Sequence, residues 1–170
     1  MIEILQITIP ALLVLATAYI LLDKLLKNDE KRRNFELQQR NIQVTTPLRL
    51  RAYERLTLVL ERTKPTSIVL ETLKPAMTCF ELQSQLLTTI REEFGHNVSQ
   101  QIYVSNELWS AIRATQESLI QLVNICATHC AADAIGTELA EKIIQLYAQS
   151  EQSPGEVATN MLKKEVRSLF

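Results

Sequence analysis

Apolar and polar positions follow one another along this chain at helical rather than strand spacing, and the first departure from that pattern is a run with no polar face at all. From Ile4 to Leu22 stand 19 residues without a charge, 11 of them Leu, Ile or Val, with Gln6 near one end. As a helix such a run rises about 28 Å, close to the hydrocarbon thickness of a bilayer. Pro10 falls in the first turns, where few upstream carbonyls lose a partner. Residues 1–22 are therefore predicted to be a single transmembrane anchor in contact with membrane lipid through residues 4–22. Ala16-Thr17-Ala18 resembles a signal-peptidase site, but the basic segment that precedes a cleaved leader is missing.

From Asp23 to Val44 the pattern changes to Lys, Arg, Glu, Gln and Asn with scattered Leu25, Leu26, Phe35, Leu37 and Ile42. That is too polar to bury a broad face, so residues 23–44 read as a charged helical stalk. Lys24, Lys27, Lys31, Arg32 and Arg33 crowd the C-terminal side of the span, against Glu3 before it. By the positive-inside rule the following domain is expected in the cytoplasm, at a bacterial inner membrane. The same basic residues offer a second reading, a surface for anionic headgroups.

Residues 45–170 show the ordinary signature of amphipathic helices. Thr46-Pro47 opens one carrying Leu48, Ala52, Leu56, Val59 and Leu60, closed by Lys64-Pro65. Ser67 to Leu73, between Pro65 and Pro75, is compatible with a helical turn or an extended piece. Thr78 and Glu81 have capping-box spacing ahead of Leu82, Leu86, Leu87, Ile90 and Phe94, and Gly95 offers a stop. Ser105 caps a helix through Leu108, Trp109, Ile112, Leu119, Leu122, Val123 and Cys126, expected to reach about Cys130. Thr137 is expected to cap the next, with Leu139, Ile143, Ile144 and Tyr147. Ser153-Pro154-Gly155-Glu156 starts a last helix through Val157, Met161, Leu162 and Leu169. The expectation is an all-α chain: anchor, stalk, then a bundle of about five helices.

Composition agrees, with three glycines and four phenylalanines among 170 residues. Eighteen basic and 19 acidic residues leave a net charge of −1, which offers nothing global to nucleic acid. Three cysteines, Cys79, Cys126 and Cys130, form no paired framework and read as reduced thiols. Cys126, His129 and Cys130 share a helical face, but three donors do not complete a recognised ligand set. Glu93-x-x-His96 has the spacing of a di-iron helix, without the second copy such sites need. No nucleophile elbow, P-loop or dinucleotide fingerprint occurs. No metal, cofactor or catalytic constellation is expected.

The densest polar stretch, His96 to Asn106, joins two apolar helices. Its amides and hydroxyls suit helix ends and neighbouring backbone groups. A recognition surface is the functional alternative, built from His96, Asn97, Gln101, Tyr103 and Trp109 with Glu54, Arg55 and Glu61.

At Leu48-Arg49-Leu50-Arg51-Ala52-Tyr53-Glu54-Arg55-Leu56, Leu60-Glu61-Arg62 and His96-Asn97-x-Ser99-Gln100-Gln101-Ile102-Tyr103-Val104 the chain resembles an uncharacterised family of small bacterial proteins, mainly from Bacteroidota. The resemblance covers roughly Leu5 to Ile144, with Gly95 where the family pattern favours an acidic residue. It implies a single membrane span and a helical domain of unknown function, and brings no catalytic residues with it. Together these readings favour a membrane-anchored interaction or assembly module, with an unidentified protein or a second copy of the chain as partner. A membrane-tethered hydrolase using Glu54, Glu61 or His96 as general base is the alternative, and an anionic-lipid-binding surface a further one.

Overall fold

A computed structural model describes residues 2–150 and 153–168, with the side chains of residues 2–14, 16, 18, 20 and 41 outside the description. Helix α1 spans Ile2–Arg62, and the chain divides into two units, residues 1–45 and 46–170. Pro47 thus lies inside α1 and does not open a new helix, which corrects the expected start at Thr46-Pro47. A proline removes one backbone bond, to the carbonyl four residues back, but Leu37 to Leu56 contains no glycine or second proline to complete a break.

In the first unit Lys27 Nζ lies 2.8 Å from Asp23 and Arg32 Nε 3.1 Å from Glu36, pairs one turn apart on exposed helix surface. Each contributes a few tenths of a kcal/mol. Among the described residues no helix is long and apolar enough to cross a membrane. The expected anchor, residues 4–22, rests largely on side chains that lie outside the described residues.

The second unit begins with the last four turns of α1, which bury Ala52, Tyr53, Leu56, Val59 and Leu60. Pro65 then occupies the first turn of α2 (Pro65–Thr72), so the undecided segment 67–73 is helical up to Thr72 and extended at Leu73. Lys74 to Met77 make a tight turn, with Met77 N–H donating to Lys74 O at 3.3 Å. Pro75 precedes Ala76 at φ 64°, the type II arrangement that usually places glycine at the third position. Helix α3 (Cys79–His96) starts on a complete capping box between Thr78 and Glu81. It runs through Gly95 rather than stopping there, and Asn97 forms its end, because Gly95 has no left-handed φ. A 3-10 helix, Val98–Tyr103, occupies the polar connector. Ser105 caps α4 (Asn106–Thr128), accepting from Leu108 N–H. Helix α5 is Gly136–Ala148 and α6 is Pro154–Arg167, capped by Ser153 accepting from Glu156 N–H. The expected extension of α6 to Leu169 lies outside the described residues.

Thr137 does not cap α5, which opens instead from Ile135 without a side-chain cap. A long-range backbone seam fixes this start: Gly136 N–H donates to Met77 O at 2.7 Å, and Cys79 N–H to Ala134 O at 2.8 Å. A Cβ on Gly136 would stand 2.9 Å from Met77 O, so only glycine lets the two segments approach this closely.

Helix α4 packs against α3, α5 and α6, while α2 rests on α3 and α5. Leu82, Leu86, Ile90, Leu108, Ile112, Leu139 and Ile143 are among the deepest of the core. At about 1.5–3 kcal/mol for each such side chain taken from water, these stripes supply the main drive for closing the bundle.

Candidate functional site

Two places in the second unit gather functional groups, and their chemistry differs. The first is polar and closed on itself. Tyr53, buried on α1, points its hydroxyl at Glu165 on α6 and donates to Oε1 at 2.9 Å. Glu165 also accepts from Ser105 N–H at 3.0 Å and, through Oε2, from the Ser105 hydroxyl at 2.7 Å. Arg49 donates to the Tyr53 hydroxyl at 2.7 Å, to Glu165 at 3.3 Å and to the Tyr103 carbonyl at 3.1 Å. Burial alone raises the Glu165 carboxyl, but the hydrogen bonds from Ser105 and Tyr53 and the Arg49 charge outweigh it and hold the group below its ordinary value. Burial, then Glu165, pushes the Tyr53 phenol up. A carboxylate that already accepts four hydrogen bonds is a poor proton acceptor, and this cluster ties α1, α4 and α6 together.

The second place is a cavity of about 400 Å³. Leu60, Leu119, Leu122 and Leu146 supply apolar wall, and eight polar side chains, Lys64, Tyr147 and Ser153 among them, line the rest. Lys64 immediately precedes α2, without a side-chain cap, and Ser153 caps the start of α6, so both helices begin at this space. Lys64 Nζ donates to Glu61 at 2.6 Å, and that bond raises its pKa. Tyr147 Oη and Ser153 Oγ stand 3.4 Å apart. Among the described residues lining the cavity there is no carboxylate, histidine or cysteine.

The expected recognition residues are dispersed. Glu54 and Arg55 are exposed on α1, and Glu61, also exposed, lies beside the cavity through its bond to Lys64. His96 is exposed at the end of α3, and the Asn97 amide donates to Glu93 O at 2.9 Å. Gln101 and Trp109 meet in a separate cleft with Phe94 and Gly95, and Tyr103 reaches Arg49 through its carbonyl. Glu165 carries no local signal in the sequence, and Lys64 and Tyr147 read there only as a helix boundary and part of an apolar stripe. Glu165 meets partners 112 and 116 residues away, a relation that no local spacing carries.

The thiols sit at the other end of α4. Cys79 and Cys126 are buried, and burial raises both above the ordinary thiol value. Cys130 is partly exposed, with Lys142 Nζ 3.5 Å from its sulfur. Lys142 also donates to the His129 carbonyl and, at 2.6 Å, to Glu138. The His129 ring faces the Ile125 carbonyl at 2.8 Å. Among the described residues no three His, Cys, Asp or Glu side chains gather as metal ligands do.

No curated protein and no solved structure matches this chain. The family comparison does: over residues 1–169 the sequence fits one family description throughout, and the chain belongs to the Family of unknown function (DUF7935).

Proposed function

We propose that this protein is a membrane-tethered binding module: residues 4–22 anchor it, and the unit 46–170 recognises a partner without transforming it. The observation that carries this reading is the division of labour within that unit. Its most heavily hydrogen-bonded carboxylate, Glu165, is consumed by structural donors, whereas the cavity is lined by four leucines and eight polar side chains with no carboxylate or imidazole among the described lining residues. Binding needs an apolar enclosure with a few oriented polar groups, which the cavity has. Hydrolysis needs a base within reach of a bound water; Glu54 and His96 are solvent-exposed on separate helices, and Glu61, beside the cavity, is engaged by Lys64 at 2.6 Å.

The tether is supported by the uncharged run Ile4 to Leu22 and the basic flank after it, which favour a cytoplasmic location for the second unit at a bacterial inner membrane. Alkaline carbonate washing of native membranes tests it. The full chain is expected to stay in the pellet, and the chain lacking residues 1–22 to appear in the supernatant with its helical circular dichroism retained. Release of the full chain by carbonate overturns the tether.

A further inference from the structure

We propose that the cavity at the start of α2 and α6 binds a single-chain monocarboxylate, its apolar chain among the leucines and its carboxylate at Lys64. This rests on the binding reading above and specifies its ligand. At about 400 Å³ the space falls within the range of small-molecule sites, roughly 300–1,000 Å³. It suits one short chain rather than the paired chains of a bilayer lipid.

The wall decides the body of the ligand. Leu60 from α1, Leu119 and Leu122 from α4 and Leu146 from α5 face the space from three helices. The leucine part of the wall gains dispersion contacts from a hydrocarbon, while the polar side chains around it suit the end of the ligand that carries the head. The mouth decides the head. Lys64 is the one charged side chain among the described lining residues. Its ammonium carries three donors and gives one to Glu61, which leaves it able to bind a second oxygen anion. The Tyr147 hydroxyl adds a neutral donor nearby, and the positive ends of α2 and α6 offset part of the negative charge that Glu61 and Glu156 bring close to Lys64. A cationic ligand meets Lys64 at the entrance and is disfavoured, and a pure hydrocarbon leaves the polar mouth without a partner. A doubly charged head asks for more positive charge than one lysine, already shared with Glu61, provides. One negative charge on one apolar chain answers both ends of the cavity.

The test uses the full chain in lipid nanodiscs, with octanoate as probe and octan-1-ol as its uncharged counterpart. Hydrogen–deuterium exchange is read in peptides covering residues 60–66, 118–122 and 146–150. Octanoate is expected to slow exchange in these peptides and nowhere else in the second unit, with octan-1-ol effective only at markedly higher free concentration. Lys64→Gln, at a side chain 40 % accessible and therefore tolerant of change, is expected to weaken octanoate about tenfold and leave octan-1-ol unaltered. Leu122→Trp, which fills the space, is expected to abolish protection by both. The proposal is overturned if octanoate protects none of these peptides, or if Leu122→Trp folds and leaves protection intact. It is equally overturned if octanoate and octan-1-ol act alike and Lys64→Gln changes neither, a result that assigns the cavity to neutral apolar ligands. The carbonate wash reads the tether separately, so loss of octanoate binding and loss of the anchor are distinct results.

Discussion

Replacing Glu165 with alanine removes an acceptor shared by three helices, and the structure sets the size of the effect. Glu165 is 15 % accessible at its side chain and Tyr53 is 2 % accessible, so their hydrogen bond is poorly replaced by water. In the alanine variant Tyr53 still accepts from Arg49 but loses the acceptor for its own proton, and the Ser105 N–H and hydroxyl each lose a partner. An unsatisfied buried donor costs about 1–3 kcal/mol, and Arg49, 36 % accessible, recovers most of its loss from water. The expected destabilisation is about 2–4 kcal/mol, a fall in Tm of roughly 6–12 °C at this chain length. Glu165→Gln keeps the shape and one acceptor oxygen, and is expected to lie between wild type and alanine. Thermal and urea unfolding of the full chain in mild detergent, followed by circular dichroism, measures both variants. The pH dependence supplies an independent arm. The folded-state pKa of Glu165 lies below its unfolded value, so its contribution is complete above the unfolded pKa and disappears as pH falls through the folded one. Wild type is therefore expected to lose more stability on acidification than Glu165→Gln. An alanine variant within about 0.5 kcal/mol of wild type, with an unchanged acid limb, would refute the assignment of this cluster as a clasp.

Three further outcomes follow from particular residues. Gly136→Ala drives a methyl to within 2.9 Å of the Met77 carbonyl and is expected to lower stability by about 1–3 kcal/mol in the same unfolding assay, with early loss of amide protection at residues 77–80. Ala76→Gly relieves a left-handed φ of 64° and is expected to raise stability by about 0.5–1 kcal/mol, and a decrease would argue against the type II turn at Lys74 to Met77. Among the thiols, Cys130 is expected to react first with iodoacetamide, resolved by peptide mass spectrometry, because Cys79 and Cys126 are buried and their thiols are held above the ordinary value; equal rates at all three would contradict this burial.

What was legible from the sequence was whatever local chemistry decides. The Thr78-Glu81 capping box, the Ser105 cap and the Ser153-Pro154 start each depend on residues within one turn, and each lies where the spacing put it. The helical stripes of α3 and α4 were equally readable, because burial at every third or fourth residue is a property of one segment. The misreadings share a cause. Thr46-Pro47 is a local start signal that α1 runs through, Gly95 is a local end signal that α3 passes by one residue, and Thr137 yields to a seam made with Met77 and Cys79 far back in the chain.

The same reasoning explains why the cavity was not visible in advance although its residues were. Leu60, Leu119 and Leu122 each belong to an apolar stripe that a core would account for, and Ser153 belongs to a cap. Taken singly, none signals a vacancy. The space lies where α2 and α6 both begin beside the end of α1, with Pro65 and Pro154 in their first turns. A proline at the first helical position stabilises the start but offers less reach than Leu or Phe to fill the gap behind it. Lys64 then stands at that gap for reasons its own helix supplies, as the residue preceding Pro65 and the partner of Glu61. A site assembled from caps and stripe residues leaves no motif, and what distinguishes it is the coincidence in space of two helix starts, one cation and a wall of leucines.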